Sequence, residues 1–310
     1  MKRIFFIITT VFIVQGCNKQ TPAKLNIHKV YLDPNDSTKN CYTVIEPSSQ
    51  PWSGFVFLIP GFGETAERVL QQTDLPEKLA LKGILTIVPT FQDGVLSFGV
   101  DSLTQQCFNR LLSDVSSKYD LKDQRFYVGG YSIGGSCAIK YAENAEVKPT
   151  AVFAIDPPLD FERIYNSAKR DIRLSTDNNP NEENIYIIER LEKELGGSPK
   201  EFLSAYYSFS PYSFSDSTQT AIKKLINTPI RIYTEPDIDW WMRERRSDLT
   251  SMNSTECSAI INELNRLGNN KAAFIATQNK GFRKPDNSRH PHSWSIVDND
   301  ELVTWLLSQQ

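Results

Sequence analysis

The stretch 54-GFVFLIPG-61 is apolar at almost every position, and the chain repeats this kind of run. Further examples are 84-ILTIVP-89, 125-RFYVGGY-131, 151-AVFAID-156, 229-PIRIYTE-235 and 272-AAFIATQ-278. A strand with one face in water alternates apolar and polar residues. A strand apolar throughout has both faces covered, as in a parallel sheet. The segments between the runs have helical character: 65–82, 101–118, 133–143, 255–267 and 293–308. In the second of these, Leu103, Cys107, Leu111 and Val115 recur every four residues. Strands alternating with helices predict a mostly parallel central sheet flanked by helices. Two shorter strand-like runs, 26-NIHKVYLD-33 and 41-CYTVIEP-47, come first, with Asn35, Asp36 and Ser37 marking the turn between them.

The rhythm breaks after Pro157-Pro158. Residues 160–220 offer no convincing strand, and that is too long for a structureless loop inside a compact domain. The segment 182-EENIYIIERLEKEL-195 is amphipathic and stops at Gly196-Gly197, while Ser198-Pro199-Lys200-Glu201 forms a capping box with proline in the first helical turn. An inserted helical cap is expected here, within one domain spanning 26–310.

The N-terminus has a different character. Lys2 and Arg3 precede the apolar run 4-IFFIITTVFIV-14. As a helix it would rise about 16 Å, roughly half of a bilayer core, so it reads as an export signal rather than a membrane span. The sequence 14-VQGC-17 resembles the lipobox of bacterial lipoproteins. That resemblance implies a signal peptide over 1–16, lipid on Cys17, a tether over 17–25, and attachment to a bacterial membrane on its periplasmic or outer side. Cys41, Cys107, Cys137 and Cys257 show no metal-type spacing and read as buried apolar groups, with one bridge possible after export. A net charge of −3 implies no broad basic face for nucleic acid.

The chemistry centres on 130-GYSIGGS-136, which follows one strand and opens a helix. A serine at that junction sits on a sharp turn, and glycines two residues to either side let strand and helix approach without Cβ clashes. A nucleophilic serine needs a base and a group to orient it. The chain has three histidines. His28 precedes the first strands, while His290 and His292 lie in 289-RHPHSW-294, between the last strand and the last helix. His292 is the preferred base, with His290 the alternative. The orienting acid is expected after the strand 229–235, where 234-TEPDID-239 offers Asp237 first and Asp239 or Glu235 as alternatives. Oxyanion donors are expected from the amides of Ile133 and of Phe62, in the slim loop 59-IPGFGE-64.

These motifs, with Ser132, Asp237 and His292 in that order, resemble the α/β-hydrolase superfamily over residues 40–310. The resemblance implies an α/β-hydrolase fold with a cap, and an esterase, lipase or peptidase needing neither metal nor organic cofactor. An exported serine hydrolase cleaving a small-molecule or glycan-linked carboxylic ester is the leading reading. A serine peptidase of the same fold, or a non-catalytic binding lipoprotein, are the alternatives. Phe202, Tyr206, Tyr207, Phe209, Tyr212 and Phe214 in the cap, with Trp240 and Trp241, could line an acyl pocket or stack on a sugar, although packing the cap is their plainer role. The run 243-RERR-246 reads as a solvated helix face, with anion binding as the alternative.

Overall fold

The computed structural model describes residues 25–47, 51–175 and 182–309. The expected signal peptide, Cys17 and most of the tether lie outside these residues. The eight main strands are β1 (Asn26–Tyr31), β2 (Cys41–Glu46), β3 (Gly54–Ile59), β4 (Ile84–Thr90), β5 (Phe126–Tyr131), β6 (Ala151–Ile155), β7 (Ile230–Thr234) and β8 (Ala272–Ala276). They form one sheet in the order β1-β2-β4-β3-β5-β6-β7-β8. The β1–β2 and β2–β4 pairs are antiparallel and all later pairs are parallel.

The apolar runs become the buried strands they predict: β3, β5 and β6 are buried at every position. Alternate residues of each strand enter different cores. Phe55, Phe57 and Val128 pack with α3 (Ser102–Lys118), α4 (Ile133–Asn144) and α9 (Ser254–Arg266). Val56, Leu58 and Tyr127 pack with α1 (Ala66–Gln72), α2 (Leu75–Ala80) and α10 (Asn299–Ser308). The helix expected over 65–82 is therefore two helices. The first ends at Thr73, whose backbone is extended, and Pro76 lies in the first turn of the second. The last helix starts later than expected, at an Asp298 cap, after a separate 3-10 turn at Trp294–Ile296.

The cap comprises α5 (Phe161–Leu174), α6 (Glu182–Leu195) and α7 (Pro199–Phe209). It has its own apolar cluster, in which Phe161, Tyr165, Leu191, Tyr206 and Phe209 meet Phe98 and Ile133 of the main domain. Packing therefore accounts for Tyr206 and Phe209, and Tyr212 joins the main core. After β7 comes α8 (Ile238–Arg245), and after β8 a short hairpin, β9 (Phe282–Arg283) with β10 (Ser288–Arg289). The four described cysteines are free and buried.

Candidate active site

Ser132 stands at the C-terminal end of β5 with φ 54° and ψ −128°, a left-handed conformation that costs a non-glycine residue energy and persists only where its surroundings enforce it. The enforcement is visible at the flanking glycines. A Cβ on Gly130 would lie 2.6 Å from the carbonyl oxygen of Ile59, and one on Gly134 would lie 2.3 Å from that oxygen and 2.4 Å from that of Pro60. The Ser132 amide is fixed to the Ile155 carbonyl at 2.8 Å. Its side chain faces a cavity of about 680 Å3 between the sheet and the cap.

His292 lines the same cavity. Its carbonyl accepts hydrogen bonds from the Tyr131 hydroxyl (2.8 Å) and from Arg283 Nη2 (3.0 Å), and its ring lies 4.7 Å from the Tyr131 ring. The sequence thus holds the base from the residue immediately before the serine. The Trp294 ring lies 5.2 Å from that of Tyr131, tilted by 35°, and donates its Nε1–H to Glu64 Oε2 (3.1 Å), which also accepts from the Gly61 amide (3.0 Å). One chain of contacts therefore ties the base loop to the loop after β3. Gly61 is needed there because a Cβ would meet the Tyr131 ring at 2.8 Å.

The carboxylate that meets His292 is none of the three that the sequence reading offered as orienting acid. His292 Nδ1 lies 2.6 Å from Asp156 Oδ2, at the end of β6. Asp237 instead caps α8, accepting from the Trp240 amide (3.1 Å), and takes Arg289 Nη2 at 2.6 Å. Asp239 is exposed in the first turn of α8. Glu235 borders the cavity, but its carboxylate accepts the amides of Lys280 (2.8 Å) and Gly281 (3.0 Å) and pairs with Arg289. The reason lies in register. Tyr131 pairs with Ile155, so the next residues, Ser132 and Asp156, emerge side by side from adjacent strands. Residues after β7 start one strand, about 4.8 Å, further away. Asp156 adopts φ 48°, a conformation that aspartate tolerates better than most residues. The sequence signal was an aspartate closing the apolar strand next to the one that leads into Ser132.

His290 is buried and does not meet Asp156. Its Nε2 accepts from Arg245 Nη2 at 3.2 Å, which leaves the proton on Nδ1, a buried atom without a partner among the described residues. Burial, then the charges of Arg283, His292 and Arg245, push its pKa down to about 3, so it stays neutral. Ile133 begins α4, so its amide has no partner within the helix. The amide of Phe62 lies between those of Gly61 and Gly63, which are engaged by Glu64 and by the Val95 carbonyl. Among the described residues neither Phe62 nor Ile133 donates its amide to an acceptor, and both residues line the cavity.

No protein-family model matches the chain, and no curated sequence does. Solved structures do. An S-formylglutathione hydrolase from Agrobacterium tumefaciens superposes with a TM-score of 0.58 at 12% identity, over 93% of this chain and 96% of its own. A fluorophosphonate-binding serine hydrolase of Staphylococcus aureus gives 0.56 at 14% identity, over 93% and 100%. A thermostable carboxyl esterase from Bacillus coagulans gives 0.54 at 12%, over 91% and 98%. The fold is the α/β-hydrolase fold, with a helical cap inserted after β6.

Proposed function

We propose that this chain is a serine hydrolase that cleaves carboxylic esters through an acyl-enzyme, with Ser132, His292 and Asp156 as its triad. Ser132 Oγ attacks the ester carbonyl while His292 Nε2 takes the hydroxyl proton. Asp156 holds the Nδ1–H and stabilises the imidazolium that forms. The carbonyl oxygen becomes an oxyanion facing the amides of Phe62 and Ile133. As the tetrahedral intermediate collapses, His292 returns the proton to the alcohol oxygen, which leaves. Water then gives up a proton to His292 and attacks the acyl group, releasing the acid and restoring Ser132.

The observation that carries this reading is the 2.6 Å contact between His292 Nδ1 and Asp156, in a cavity that also exposes a serine on a strained strand-to-helix turn. The named activities of the similar structures favour an ester over a peptide bond. The basic and apolar residues ahead of 14-VQGC-17 support export and lipid attachment at Cys17, which would place the enzyme on a bacterial membrane. The test is hydrolysis of p-nitrophenyl butyrate by the protein and by Ser132→Ala, with fluorophosphonate labelling of the serine. Turnover and labelling that both vanish in the variant are expected. Turnover that survives the substitution refutes the assignment.

A further inference from the structure

The cavity has two unlike sides. Toward the cap it carries an aromatic and aliphatic patch, beside the polar Ser167, Asp171 and Glu183: Phe62 lies 5.9 Å from Phe98 and 5.8 Å from Tyr186 of α6, and Ile164 and Ile187 border it too. Toward α8 and the β9–β10 hairpin it is lined by Trp241, Arg245, Arg283 and His290. The second side is the His292 side. Arg283 binds the His292 carbonyl, and the His290 ring centroid lies 6.4 Å from that of His292.

The charge on that side is not balanced. Among the described residues no carboxylate pairs with Arg245 or Arg283. Arg245 contacts a neutral imidazole nitrogen, and Arg283 contacts a carbonyl and a phenol. The carboxylates bordering the cavity are placed elsewhere. Asp156 holds His292, Glu235 pairs with Arg289, and Asp171 and Glu183 belong to α5 and α6. Burial first, then the neighbouring charges of Arg283, His292 and Arg245, lower the pKa of His290, so it adds no charge of its own to this side. Guanidinium groups that border a cavity and pair with no carboxylate are donors for a bidentate anionic oxygen ligand.

We infer that the alcohol half of the substrate carries an anionic group, a carboxylate or a phosphate, bound by Arg245 and Arg283. The assignment to the alcohol half follows from the reaction and so rests on the proposed hydrolase function. The leaving oxygen must receive its proton from His292, so the alcohol lies on the His292 side and the acyl chain lies against the aromatic cap wall. Within the 243-RERR-246 run Arg245 and Arg246 border the cavity and Arg243 does not, and it is Arg245 that reaches His290.

The experiment compares two butyrate esters that differ only in remote charge, 4-(butyryloxy)phenylacetate and its neutral primary amide, with the full chain. The native protein is expected to favour the anionic ester in kcat/KM by about tenfold or more, the scale of one charge-assisted contact. Arg245→Gln should remove most of that preference, Arg245→Lys should keep part of it, and Arg243→Gln should leave it intact. Equal rates for the two esters, or a preference undiminished in Arg245→Gln, overturn the inference while leaving the hydrolase reading standing. If neither ester is turned over, the hydrolase reading fails instead. Calorimetric binding of 4-hydroxyphenylacetate against its amide then decides the anion site: tighter binding of the acid, lost in Arg245→Gln, upholds it, and equal binding refutes it.

Discussion

Replacing Asp156 and Asp237 in turn separates the geometry from the reading that the sequence alone favours. Asp156→Asn keeps the side-chain volume and tolerates the left-handed φ of 48°. The contacts of the Asp156 backbone survive: its amide to the Tyr233 carbonyl (2.7 Å) and its carbonyl to Asn253 Nδ2 (2.9 Å). Only the acceptor facing His292 Nδ1 changes. An amide NH2 there favours the imidazole tautomer with its proton on Nε2, which cannot take the serine proton. An orienting acid of this kind is worth about 10^3 to 10^4 in kcat, or roughly 4 to 5.5 kcal/mol of transition-state stabilisation. Asp237→Ala removes the α8 cap and one Arg289 contact, while Arg289 keeps Glu235. Its expected cost is about 1 kcal/mol of stability, with kcat within about threefold of the native value. Steady-state hydrolysis of p-nitrophenyl butyrate measures the first effect and denaturant unfolding followed by circular dichroism measures the second. A loss under tenfold in Asp156→Asn, or a collapse of kcat in a folded Asp237→Ala protein, would refute the assignment.

Three further outcomes follow from packing and charge. Gly134→Ala drives a Cβ into two backbone carbonyls that have nowhere to move, so about 2 to 3 kcal/mol of stability and most of the activity should disappear together, measured by thermal unfolding and ester hydrolysis. Tyr131→Phe deletes the hydroxyl that holds the His292 carbonyl, with an expected loss of about 1 kcal/mol in stability and a several-fold lower kcat at nearly unchanged KM. Glu256 is buried beside Arg163, and burial raises its pKa to about 7. A carboxyl raised in the folded state binds protons that the unfolded chain has already lost, so its contribution is fully present below the ordinary glutamate range and is lost as pH rises through about 7. Comparing Glu256→Gln with the native protein in urea at pH 5 and pH 8 should show a smaller drop for the variant, and equal drops would contradict this.

What the sequence made legible was local. Runs apolar on both faces specify buried strands wherever they occur, so β3 to β7 could be read directly. The elbow glycines are dictated by contacts within one strand–turn–helix unit. His292 could be preferred over His290 because it abuts Ser293-Trp294 ahead of the last helix, and it is the histidine that meets Asp156. The break between α1 and α2 was less visible, because both halves carry apolar residues at helical spacing and the extended Thr73 interrupts them without a glycine. The role of the cap aromatics was also hard to read. Tyr206 and Phe209 are interior residues, and the aromatic cavity wall is supplied in part by Phe62 and Phe98, which lie outside the cap. The acid required knowing which strands are neighbours and in what register, and register between β5 and β6 is set by contacts far apart in the chain.

With Asp156 as the acid of the proposed triad, the segment 235–245 has no proton to manage, and the β7 end takes a structural task instead. Glu235 accepts the Lys280 and Gly281 amides and anchors the strand that leads to the β9–β10 hairpin. Asp237 starts α8 and draws Arg289 across to the same anchor. Trp240 and Trp241 then pack on His290, at ring-centroid distances of 4.8 and 5.8 Å, and Arg245 ends the helix at the cavity wall. Asp237, the acid that pattern reading preferred, and Glu235, one of its alternatives, thus tie down the helix and hairpin that border the His292 side. Loosening this anchor should therefore alter substrate preference before it alters the chemical step, the reverse of what loss of Asp156 should do. Thr277→Val, which removes a hydroxyl shared between Glu235 (3.3 Å) and the Thr234 carbonyl (3.2 Å) without touching the cavity, is expected to raise KM for the anionic ester about two- to threefold at constant kcat. A fall in kcat at constant KM would show that the anchor acts on the base loop instead.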